Sequence, residues 1–268
     1  MTGGCRTEPQ EIVAAADAAA NFVSMMSLRV NFLSLMAIPC ALLTTVSAQS
    51  PNALAKAPVE EKNPLLDPKV TKLLDDVRLL HAKQQYFAAL SKLSEAEVIV
   101  PDSPVLINVR GSIYTSMRDF AHARECFERA EKIVPDAIEP KFNKTELFFA
   151  EMKYPEAETA FKKLIADTPK LREDLRHLAL FKILVCQLKQ GKIDDAENTM
   201  KSFTFMDDTP AFYYAKAALA FQKDDKAEGQ NWMSKATNIF RADKNAFYID
   251  TLMEARWVES LQVPETGK

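Results

Sequence analysis

The sequence predicts an all-α fold made of repeated helix pairs. Three observations predict it: glycine is scarce, alternating runs of Val, Ile and Thr are almost absent, and prolines recur at a fixed spacing. Only Gly111, Gly191 and Gly229 fall between residues 50 and 260. Strands built from β-branched residues are therefore nearly excluded, whereas the plentiful alanine and leucine favour helices.

Residues 26–48 carry the pattern of a secretory signal peptide. Arg29 supplies the positive start, an apolar stretch runs from Phe32 to Val46, and small residues lead up to a cleavage site after Ala48. The stretch is shorter than the roughly twenty residues that span a bilayer as a helix. We therefore expect export and a mature chain that begins at Gln49. The alternative is an uncleaved segment that anchors the protein in a membrane.

Residues 1–25 do not suit an export signal, because Glu8, Glu11 and Asp17 stand where a short basic segment is expected. One interpretation is that translation starts at Met25 or Met26, so that the preceding residues are not part of the protein. The other interpretations are a long leader before the signal and a soluble amphipathic helix.

Residues 49–69 are predicted to be a proline-rich, extended linker. Pro51, Pro58, Pro64 and Pro68 are mixed with Lys and Glu, and no periodic apolar face accompanies them. Such a segment stays solvated and acts as a tether rather than as a domain.

From residue 70 onward the sequence repeats with a period of 34 residues. The period is marked by Pro101, Pro135 and Pro169, and an alanine stands twelve residues before each proline. A large apolar residue stands eight residues before each proline, and an aromatic residue fifteen before. In chain order the alanines are Ala89, Ala123 and Ala157, the large apolar residues are Leu93, Phe127 and Phe161, and the aromatic residues are Tyr86, Phe120 and Tyr154.

Each unit suits two antiparallel helices, because a helix of about fourteen residues cannot bury its apolar stripe alone. Alanine permits the two helices to cross closely, and the large residue one turn later on the same face fills the space beside the crossing. The proline ends the second helix and starts the turn into the next unit.

A 34-residue period with small, aromatic and proline markers in fixed phase resembles the tetratricopeptide repeat. The resemblance implies a right-handed α-solenoid of helix-turn-helix repeats. Five repeats are predicted over residues 70–243, namely 70–103, 104–137, 138–171, 177–209 and 210–243. The last two lack the closing proline, and Gly229 replaces the marker alanine in the fifth. Residues 244–268 are predicted to be a C-terminal capping helix and tail.

In the tetratricopeptide superhelix, side chains of the first helix of each unit line a concave groove. The resemblance places eight candidate partner-binding residues there: Arg78, Asn108, Phe142, Phe149, Phe181, Leu188, Tyr214 and Phe221. The polar members lie in the first two units, and the aromatic members form a ladder in the last three. We expect this ladder to be either an exposed apolar trough for a partner or packing between neighbouring repeats.

No catalytic or metal-binding pattern emerges from the sequence. His81, His122 and His177 are scattered, and no nucleophile, phosphate-loop or dinucleotide motif is found. A net charge of −3 disfavours a nucleic-acid surface. Cys126 and Cys186 remain after removal of the signal, and buried free thiols are favoured over a disulfide.

We therefore expect a non-catalytic scaffold, without cofactor or metal, that binds a protein or peptide partner in the cell envelope as an exported periplasmic protein. The alternative is a structural component of an envelope or secretion assembly, held at the membrane by an uncleaved Phe32–Val46 segment. Membrane contact is expected only in that case.

Overall fold

The computed structural model of the protein describes residues 64–259. The predicted leader, the signal peptide, most of the linker and the last nine residues of the tail lie outside this range. Within it the chain forms a short 3-10 helix, Pro64–Leu66, and eleven α-helices, and no strand. The predicted all-α solenoid is confirmed for these residues.

Ten of the helices form five consecutive pairs, each pair joined by a tight turn, and an eleventh helix follows. The bounds are α1 (Pro68–Ala82), α2 (Tyr86–Ile99), α3 (Pro104–Ser116), α4 (Phe120–Ile133), α5 (Ile138–Ala150), α6 (Tyr154–Asp167), α7 (Glu173–Lys189), α8 (Ile193–Met200), α9 (Ala211–Gln222), α10 (Lys226–Ile239) and α11 (Ala242–Glu254). Each helix packs on its neighbour in the chain, so the array is one continuous stack. We call the odd-numbered helices of the five pairs first helices, the even-numbered ones second helices, and α11 the cap helix.

The linker prediction extends too far toward the repeats. Helix α1 already begins at Pro68, because Asp67 caps it by accepting a hydrogen bond from the Lys69 amide at 2.7 Å. Proline suits the first position of a helix, because the N–H that it lacks would make no hydrogen bond within the helix there. Pro68 is therefore a helix-start residue and not a linker residue.

The joint between α3 and α4 shows why the marker residues stand where they do. Ala123 and Phe127 are buried, and the Phe127 ring lies so close to Gly111 that an added Cβ would meet it at 2.5 Å. In the fifth pair the glycine lies on the second helix and the aromatic ring on the first. A Cβ at Gly229 would meet the Phe221 ring at 2.4 Å. In both pairs, glycine therefore permits the two helices to approach each other closely.

A buried carboxylate ties the third pair to the fourth. Glu158 of α6 is 5% exposed and accepts hydrogen bonds from Lys162 at 2.7 Å and Lys192 at 2.9 Å. Gln190 at 2.9 Å and Gln187 at 3.2 Å complete the set. Burial alone would raise the pKa of Glu158, but these four hydrogen bonds outweigh it and lower the pKa to about 2.

The fourth pair departs from the regular pattern. Helices α2, α4, α6 and α10 have fourteen residues each, whereas α8 has eight and is followed by a loop, residues 201–210, that leads to α9. The second helix of this pair therefore covers less of the next first helix than its counterparts do.

Candidate functional site

A concave groove of about 1560 Å³ runs along one side of the stack. Its walls are formed by α3, α5 and α7 on one side and by the cap helix on the other. The residues that line it include Ser112, Asn143, Glu146, Lys182 and Glu254. The volume exceeds that of ordinary small-molecule pockets, which are roughly 300–1,000 Å³, and suits a polypeptide segment better.

The cap helix lies across the first helices of the last two pairs, because it packs on both α9 and α7. The ring of Tyr248 stacks on Tyr214 with centroids 5.3 Å apart and contacts Phe181 at 5.2 Å. The Tyr214 hydroxyl donates a hydrogen bond to Asn245 Oδ1 at 3.0 Å. Burial raises the pKa of both tyrosines well above the ordinary value. This part of the concave face is therefore covered by the chain itself.

The expectation of an exposed aromatic ladder is wrong. Six of the eight candidate residues are buried apolar side chains: Phe142, Phe149, Phe181, Leu188, Tyr214 and Phe221. They pack between neighbouring helices, which is the other alternative that the sequence left open, and the cap helix covers Phe181 and Tyr214. Of the eight, Phe142 alone lines the groove.

The two polar candidates do not line the groove either. Asn108 is buried and accepts a hydrogen bond from the Asn143 amide at 3.1 Å. Arg78 is half-buried and donates to Asp75 at 2.9 Å. Asn143, which follows Phe142 in the chain, also lines the groove. Whether a partner contacts any of the eight residues stays a prediction.

A charged cluster that sequence reasoning missed lies on the wall of the groove. The Lys182 side chain is 6% exposed, and its ammonium lies 2.9 Å from Glu146 and 3.7 Å from Glu254. The same nitrogen lies 4.5 Å from the centroid of the Phe149 ring. Burial alone would lower the pKa of Lys182, but the two carboxylates outweigh it and raise the pKa. The one indication of this cluster in the sequence is a lysine inside the apolar run of α7.

Acidic side chains outnumber basic ones along the groove, nine to five. The acidic ones are Glu139, Glu146, Glu173, Asp174, Asp208, Asp243, Asp250, Glu254 and Glu259, and the basic ones are Arg118, Arg172, Lys182, Lys244 and Arg256. Desolvation in the groove raises the pKa of Glu254. Glu139 has no cationic partner within residues 64–259. The groove therefore carries an excess of negative charge.

The reactive residue types are engaged in packing or hydrogen bonding. His81 and His177 pair with the hydroxyls of Ser116 and Thr209, each at 2.8 Å. Cys186 is a buried free thiol and Cys126 a half-buried one, and burial raises their pKa values to about 12 and about 11. Over residues 64–259 no three His, Cys, Asp or Glu side chains are grouped so that they could hold a metal ion.

Comparison with protein families supplies the next observation: residues 106–136, which span α3 and α4, match the tetratricopeptide repeat. This segment is a tetratricopeptide repeat. Such repeats generally mediate protein–protein interaction and form non-catalytic scaffolds. A search of curated proteins finds no match to the chain. Among the helices of residues 64–259, none has the length and apolar character needed to cross a membrane.

Proposed function

We propose that the protein is a non-catalytic scaffold of the cell envelope that holds a cationic, extended segment of a protein partner in its concave groove. The observation that carries this proposal is the acid-rich groove that stays open between the cap helix and α3, α5 and α7. An extended basic segment would meet carboxylates on both walls. Its attraction would be long-ranged and would weaken as salt rises.

The groove is tested with two fluorescently labelled twelve-residue peptides, one of alternating Arg and Gly and one of alternating Glu and Gly. We expect saturable binding of the Arg peptide, at least tenfold tighter than the Glu peptide, with an affinity that falls as salt rises. Glu139→Lys should weaken binding of the Arg peptide at least fivefold, since Glu139 lines the groove without a cationic partner among the described residues.

The matched control is Glu128→Lys, which makes the same change of charge at an exposed residue of α4 that does not line the groove. We expect it to leave binding nearly unchanged. Equal weakening by the two variants would show a general charge effect, and absence of binding by the Arg peptide would contradict the proposal.

Export and location in the envelope form a separate part of the proposal, supported by the pattern of residues 26–48. Intact-mass measurement of protein recovered from the envelope fraction should give a chain that begins at Gln49. A mass that retains the Phe32–Val46 stretch would favour the alternative, a membrane-anchored structural component of an envelope or secretion assembly.

A further inference from the structure

The short second helix of the fourth pair leaves a gap in the wall of the stack. Helix α8 has six residues fewer than each of its four counterparts, which corresponds to about 9 Å of helix. In the second pair the equivalent place is filled, since Leu106 near the start of α3 is fully buried in a cluster that includes residues of α2. The residue in the same phase of the fifth pair is Phe212, and it is only partly buried.

A continuous set of aromatic rings lies at this gap, and every ring of it is at least partly exposed. Phe212 lies at ring-centroid distances of 6.4 Å from Phe205, 5.4 Å from Tyr213 and 6.1 Å from Trp232. Phe240 extends the set, 6.0 Å from Tyr213. We call these five residues the aromatic notch. None of them lines the concave groove, so the notch is a different surface.

The loop beside the notch presents two large apolar side chains to solvent. Phe205 is 67% exposed and Met206 is 80% exposed. The loop is nevertheless held in place, because the Asp207 carboxylate accepts hydrogen bonds from the Thr204 amide at 2.8 Å and from the Thr204 hydroxyl at 2.7 Å. Exposed apolar patches of this kind typically mark interaction sites.

Two lysines give the notch a positive rim. The Lys235 ammonium lies 3.9 Å from the centroid of Trp232, and that of Lys216 lies 5.8 Å from the centroid of Phe212. Neither ammonium forms an ion pair with a carboxylate in the part of the chain that the structure describes. The nearby Glu228 accepts a hydrogen bond from the Trp232 indole at 3.3 Å. The two ammonium groups thus provide cationic contacts beside the rings, whereas acidic side chains predominate in the groove.

We propose that the aromatic notch docks a short amphipathic helix of a protein partner, with its apolar face on the rings and acidic side chains toward Lys216 and Lys235. A helix suits the gap because about two turns of helix are missing from α8 relative to its counterparts. The rim lysines select acidic flanking residues. This interaction is independent of the concave groove and recruits a partner of opposite charge.

The test uses two fourteen-residue amphipathic peptides with the same leucine face, one with Glu and one with Lys on the polar face. Trp257→Phe is the background variant, so that Trp232 is the single tryptophan and reports binding by its emission. We expect saturable binding of the Glu peptide, at least tenfold tighter than the Lys peptide. Lys216→Glu combined with Lys235→Glu should reverse that preference.

Phe205→Ser combined with Met206→Ser should weaken binding of the Glu peptide at least tenfold without lowering the melting temperature, because both side chains are exposed. The matched control is Phe87→Ser in the first pair, where the side chain is 79% exposed, and it should leave binding unchanged. Glu139→Lys in the groove should also leave it unchanged, which separates this test from that of the groove.

The proposal would be overturned by absence of saturable binding, by equal binding of the two peptides, or by binding that ignores the Phe205 and Met206 changes. Vesicles of phosphatidylglycerol are the competing occupant. A shift of Trp232 emission by these vesicles, with none from the Glu peptide, would assign the notch to a membrane surface and contradict a protein helix.

Discussion

Truncation of Phe181 measures how firmly the cap helix is fixed to the array. The ring is fully buried and contacts Tyr248 of the cap helix at 5.2 Å and Tyr214 of α9 at 6.4 Å. Phe181→Ala would open a cavity bordered by three helices, which cannot all move inward to fill it. Large-to-small aromatic changes in cores cost about 3–5 kcal/mol, and we expect the upper half of that range.

The assay is urea unfolding of the full chain followed by helical circular dichroism. With a denaturant dependence of about 2–3 kcal/mol per molar urea, the loss corresponds to a midpoint lower by about 1.3–2.5 M. Phe205→Ala removes the same atoms from a ring that is 67% exposed and should change stability by at most about 0.5 kcal/mol. Equal midpoints for wild type and Phe181→Ala would refute burial of this ring and restore the exposed-ladder interpretation.

Two further predictions concern the joints between helices. Ala123→Leu should overpack the crossing of α3 and α4 and lower the stability by about 1–3 kcal/mol. Ala121→Leu on the exposed side of α4 should cost much less. Equal losses of thermal stability would disprove the assignment of Ala123 to the helix crossing. Because the pKa of Glu158 is lowered from 4.5 to about 2, its ionised form stabilises the fold by up to about 3 kcal/mol above pH 4.5, and this is lost as the pH falls toward 2. Unfolding of wild type and Glu158→Gln measured from pH 6 to 2.5 should show the stability difference shrinking with acid, and a constant difference would contradict the assignment.

The elements of the array could be predicted because their determinants are local. A proline cannot continue a helix beyond its first turn, and Pro101, Pro135 and Pro169 each stand two residues after the end of a second helix. An alanine one turn before a large residue sets a close crossing within a single pair. The residues of this joint, Ala123, Phe127 and Gly111, therefore all lie within one 34-residue unit. The start of α1 was misplaced because Pro68 serves equally well in a linker and at the first position of a helix.

The candidate groove could be predicted only as a surface of the first helices. Phe142 lines the groove, whereas Asn108 and Phe181 at the same phase of the neighbouring units are buried away from it. Which of these residues meets the groove depends on how neighbouring pairs and the cap helix pack, and residue spacing does not contain that. Lys182 could not be placed on the groove wall for the same reason, since its partners Glu146 and Glu254 come from two other helices.

What the sequence determined by itself is the repeat: its period, its helix pairs and the residue types at each joint, because all of these follow from contacts within a unit. What only the tertiary structure decided is which surfaces stay open. The cap helix covers Phe181 and Tyr214 because it packs on two first helices at once, and the early end of α8 leaves Phe212 and Trp232 only partly buried. Both outcomes depend on contacts between units, and a side chain of the same type in the same phase is buried or exposed according to the helix that lies over it.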